Sequence, residues 1–105
     1  MSVINITIKD KIQTISLPEA LTTQVLKDFE IESRAWLLGE ANLYIFDFKN
    51  VQSLTPSEYR VLLSFYSTAL KAQKKVVSIH ISADIVRQLK KEGVHDLMNI
   101  YEPKK

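Results

Sequence analysis

The sequence of 105 residues contains no cysteine, and this one absence removes disulfides, thiolate nucleophiles and Cys-based zinc sites together. It also agrees with a chain at work in a reducing cytoplasm. Glycine is nearly as scarce, with only Gly39 and Gly93. Neither opens a strand-to-helix turn, so no glycine-rich loop is available to cradle a phosphate. No window approaches the roughly 20 apolar residues that span a bilayer. The start, Met1-Ser2-Val3-Ile4-Asn5, has no basic stretch leading into an apolar one. A cytoplasmic protein without direct membrane insertion is expected. Charge of one sign does not accumulate either: fourteen Lys and Arg face twelve Asp and Glu, interspersed, which gives no reason to expect nucleic acid as a partner. His80 and His95 are the only imidazoles and do not stand at a zinc-binding spacing. No nucleophile, base, metal or cofactor site is expected, and the chain does not read as an enzyme.

What is present is enough apolar residue, 46%, for one core of its own. A single domain over residues 1–102 with a frayed tail at 103–105 is expected. Ile4, Ile6 and Ile8 alternate with polar neighbours as in a half-buried strand, and Lys9-Asp10-Lys11 predicts a turn into a second strand, Ile12 to Leu17. From Pro18 the period lengthens. Leu21, Val25, Leu26 and Phe29 predict an amphipathic helix that continues through Ile31 to Leu38 and stops at Gly39. Leu43-Tyr44-Ile45-Phe46-Asp47-Phe48 reads as a central strand covered at least partly on both faces. A helical stripe follows in Tyr59, Leu62, Leu63, Tyr66, Ala69 and Leu70, then a strand in Val77, Ile79 and Ile81. Ile85, Val86 and Leu89 predict a third helix closed by Gly93, and Leu97 to Tyr101 predicts a helical turn or an edge strand. The order β-β-α-β-α-β-α defines an α/β domain with a mixed sheet of roughly four to five strands packed with helices.

The stretch from Tyr44 to Leu63 and that from Lys74 to Leu97 together resemble the STAS domain of bacterial anti-sigma factor antagonists and of transporter tails. That family has a buried strand ending near an Asp, a loop of the form Asp-Ser-Ser-Gly, a helix beginning Leu-Gly-Val-Leu, a strand, and a helix ending in Gly-Leu. Asp47, Val61-Leu62-Leu63, Ile79-His80-Ile81-Ser82 and Gly93-Val94 take the matching places. The resemblance implies a regulatory domain that binds a protein partner, either an anti-sigma factor or another kinase-fold regulator. An alternative partner is a subunit of a membrane transport system such as a phospholipid-transport ABC complex.

The chain departs from the family in the loop. Leu54-Thr55-Pro56-Ser57-Glu58 places Pro56 where the phosphorylated serine stands, so switching at the usual position is not expected; Ser57 and Thr55 are the displaced candidates. Thr55-Pro56-Ser57-Glu58 also reads as a helix start with a capping box, which explains each residue without any modification. Helical geometry places Tyr59, Leu62, Leu63, Tyr66 and Leu70 against the sheet. Ser57, Val61, Ser64 and Thr68 then face outward, with Phe65 on the flank. That outer line carries no Lys or Glu, as a contact surface would, although isolated apolar surface residues are common. Thr55, Ser57, Glu58, Val61, Ser64 and Phe65 are the expected partner-binding residues.

Overall fold

The computed structural model describes residues 4–101, and the tail expected at 103–105 lies outside them. Strands β1 (Asn5–Lys9) and β2 (Ile12–Ser16) are followed by α1 (Thr23–Leu37), β3 (Leu43–Asp47), α2 (Pro56–Lys71), β4 (Lys75–Ile79) and α3 (Ala83–Lys91). A 3₁₀ turn at His95–Met98 closes the described chain. The element order is the one the sequence predicts.

The first two strands form an antiparallel hairpin whose register pairs Lys9 with Ile12. Only Asp10 and Lys11 lie between them, at φ 52° and 65°, the left-handed pair that matches the twist of a two-residue hairpin. β2, β3 and β4 are then parallel, and the sheet runs β1-β2-β3-β4. Both β-α-β crossovers step in the same direction. Because such crossovers are right-handed in nearly all proteins, α1 and α2 must fall on one face of the sheet. Ring contacts agree: Phe46 of β3 lies 5.8 Å from Phe29 of α1 and 5.2 Å from Tyr66 of α2. α3 joins the same layer, since Tyr59 of α2 reaches its C-cap, Glu92, at 3.5 Å.

The domain is therefore two layers, and only one face of the sheet is covered by the described helices. Gln13, Ile15 and Leu17 face the helices with Tyr44, Phe46 and Phe48, and with Val76 and Ser78; all are buried. The alternate positions Leu43, Ile45, Val77 and Ile79 are only half-buried. The central strand is covered fully on one face and partly on the other, as expected. Two expectations change. In β4 the core residues are Val76 and Ser78, not Val77 and Ile79. In β1 the alternation of Ile6 and Ile8 does not bury them: at the sheet edge the covering layer thins, and Ile8 remains 65% exposed.

Helix ends follow their chemistry. Gly93 closes α3 at φ 76°, as glycine there allows. α1 stops just before Gly39 as expected, but Gly39 is not left-handed: the Leu38 N–H donates to the Ala35 carbonyl at 3.1 Å and the Gly39 N–H to the Trp36 carbonyl at 3.0 Å. After the 3₁₀ turn, Ile100 pairs in parallel with Ser78, so the segment predicted as helical turn or edge strand supplies both.

Candidate functional site

All three helices begin at the C-terminal edge of the parallel strands, where loops in such sheets carry function. Thr22, Thr55 and Ser82 cap them, each side-chain oxygen accepting from a first-turn N–H. The loop between β3 and α2 is pinned. Phe48, Val51 and Leu54 are buried in the core, and Gln88 of α3 donates through Nε2 to the Leu54 carbonyl at 2.6 Å. The residues that follow therefore leave a fixed point.

There the capping box forms as predicted. Thr55 Oγ1 accepts from the Glu58 N–H at 3.4 Å, and Glu58 Oε1 accepts from the Thr55 N–H at 2.8 Å. Pro56 occupies the first helical position, where its missing N–H leaves nothing unpaired. Thr55, Pro56 and Ser57 are exposed and Glu58 is half-buried. Of the two displaced hydroxyls, Thr55 is engaged in the cap while Ser57 points from the first turn with no hydrogen-bond partner among the described residues.

Along α2, Ser64 and Thr68 are exposed as expected, and Val61 is half-buried against the core. These three line a groove of about 420 Å³ between α2 and α1, whose other wall includes Phe29, Glu30 and Arg34. Phe65 is the exception. It is 4% exposed, and its ring lies 5.2–5.8 Å from those of Tyr44, Phe46, Phe29 and Trp36. A contact role from an exposed flank is thus not available to it. The cause is α1, which packs beside α2 and turns the flank into core. Leu70, expected against the sheet, is 75% exposed in the last turn.

One feature of this edge escapes sequence reading. His80 Nδ1 and Asp47 Oδ1 are 2.9 Å apart, and the same carboxylate oxygen accepts from the Lys49 N–H at 3.0 Å. Asp47 is buried and His80 largely exposed. The register Asp47↔Ile79 brings them together, and His80 reaches across because its backbone turns to φ 58° instead of continuing the strand. Such a left-handed residue with a Cβ costs roughly 1–2 kcal/mol. The only sequence signal was an Asp and a His each ending a buried strand. Among the described residues no group of three or more His, Asp or Glu is placed to hold a metal ion. No helix among them is long and apolar enough to cross a membrane.

No protein-family model and no curated protein matches the sequence. Solved structures do match the fold. A serine-to-glutamate variant of RsbS from Moorella thermoacetica superposes with a TM-score of 0.83 at 18% identity, covering 98% of this chain and 89% of that one. The anti-sigma factor antagonist SpoIIAA in its unphosphorylated form gives 0.78 at 13%, covering 95% and 89%. The Bacillus cell fate determinant SpoIIAA in its phosphorylated form gives 0.74 at 11%, covering 95% and 92%. The chain thus has the STAS-type fold of these regulators, as its sequence led us to expect.

Proposed function

We propose that this protein is a non-catalytic regulatory module that binds a protein partner through the start and outer line of α2, in the manner of an anti-sigma factor antagonist. The observation that carries the reading is a capped helix start displaying Ser57 and leading to Ser64, in a fold shared with SpoIIAA. SpoIIAA is an anti-sigma factor antagonist that occurs in phosphorylated and unphosphorylated forms. The partner in this reading is an anti-sigma factor or other kinase-fold regulator in the cytoplasm. Neither metal nor cofactor is required.

Control by phosphate moves one residue along. Pro56 has no hydroxyl, and modifying Thr55 would break the cap it forms with Glu58. Ser57 is exposed in the first turn, where the helix dipole favours a phosphate by about 0.3–1 kcal/mol and nothing has to be broken. Affinity purification of the tagged chain from its native cell tests the reading. We expect a kinase-fold regulator that is retained by the unaltered chain, lost with Ser64→Arg, and able to place phosphate on Ser57. Retention of an ABC permease instead would replace this reading with that of a transporter subunit.

A further inference from the structure

On the side of α3 away from α2, an open groove of about 550 Å³ runs between α3 and the chain after the 3₁₀ turn. Its floor is apolar. Ile81, Val86 and Ile100 are half-buried there, and the Tyr101 ring stands 61% exposed. Arg87 and Lys90 frame it along α3, with Lys91 beside them, and the His80 imidazole closes one end. The acids of this neighbourhood among the described residues are already engaged. Asp84 holds Arg87 at 2.7 Å, Asp47 holds His80, and Glu92 accepts from Tyr59 on the opposite side of the helix. Lys90 has no acid partner among the described residues. Lysines in a last helical turn complement the helix dipole, and the pair with Asp84 accounts for Arg87, but neither accounts for the half-buried aliphatic floor and exposed Tyr101 ring beneath them.

We infer that this groove docks an acidic peptide segment of a partner protein, which seats an aliphatic or aromatic side chain on Ile81, Val86 and Ile100 and turns its carboxylates toward Lys90 and Arg87. Charge complementarity selects this occupant: a basic segment meets like charge, and a neutral one leaves Lys90 unmatched. Because the groove and the start of α2 lie on opposite sides of α3, one chain can hold two partners, or two segments of one partner, at once.

Selection of a random peptide display library on the whole chain tests the inference. The selected peptides should be rich in Asp and Glu around a Leu, Ile or Phe, and should shift the backbone amide resonances of Ile81, Val86 and Ile100. The double variant Arg87→Glu/Lys90→Glu should weaken them by at least about tenfold. Should that variant fail to fold, added NaCl must weaken binding to the unaltered chain. Selection of neutral or basic peptides, shifts confined to Ser57 and Ser64, or affinity indifferent to both the variant and salt would each overturn the proposal. So would an empty selection, whether phosphatidylserine vesicles or a second copy of the chain shifts the same resonances instead.

Discussion

Tyr66 and Ser78 share a hydrogen bond of 2.6 Å in the interior, and Ser78 Oγ also bonds the Met98 carbonyl at 2.6 Å. A carbonyl only accepts, so Ser78 donates to Met98 and Tyr66 donates to Ser78. The relay joins α2 to β4 and β4 to the closing segment, which the Tyr101 N–H holds again by donating to the Ser78 carbonyl at 2.8 Å. It also explains a serine with no exposed surface in the middle of a core strand.

Ser78→Ala leaves a buried phenol donor and a buried carbonyl unpaired, and should cost about 2–3 kcal/mol. Tyr66→Phe leaves Ser78 its carbonyl partner and should cost only about 1 kcal/mol. Burial pushes the Tyr66 phenol well above its ordinary value of 10.0. The unfolded chain therefore releases a proton above about pH 10 that the folded chain keeps, and stability present below that pH is lost as pH rises, by at most about 1.4 kcal/mol per pH unit. Denaturant melts on either side of pH ~10 should show a steeper loss for the unaltered chain than for Tyr66→Phe.

Phe65 and Leu70 report the phase of α2. Phe65→Ala removes the ring at the centre of the aromatic cluster and should cost about 3–5 kcal/mol. Leu70→Ala, in an exposed last turn, should stay within about 0.5 kcal/mol. Similar losses at both positions, read by denaturant titration, would mean that the helix is rotated from the phase described.

That pair also marks how far the sequence could be read. The period of α2 was legible, as was its start, because Thr-Pro-Ser-Glu has one strong local reading. Its apolar arc was not divisible from sequence: Leu63, Phe65 and Leu70 are all apolar, and only the neighbour α1 decides which is core. The inward face of β4 was misassigned for a related reason. Ile and Val occupy the half-open face as well as the covered one, so alternation carries little contrast. The Asp47–His80 pair required the β3–β4 register and a residue leaving the strand at positive φ, and neither is encoded locally.

The capping box gives a contrast within three residues. Thr55→Ala should destabilise by about 1 kcal/mol, whereas Ser57→Ala, whose hydroxyl has no partner among the described residues, should stay within about half that. Thermal melts of the two variants make the comparison, and equal losses would place the helix start elsewhere.

At His80 two effects oppose. His80→Ala loses the bond to Asp47 and keeps the left-handed backbone, while His80→Gly loses the same bond but relieves the strain. The glycine variant should therefore be the more stable of the two by about 1 kcal/mol. An alanine variant as stable as glycine would show that φ 58° is not held in solution.

The central claim is that the start and outer line of α2 form the docking surface, and photo-crosslinking in the native cell reads this most directly. A benzophenone amino acid is placed in turn at Ser57, at Ser64 and, across the sheet edge, at Thr7 of β1. We expect one protein partner to crosslink from Ser57 and from Ser64 and not from Thr7. Crosslinking of that partner from Thr7 alone would contradict the account.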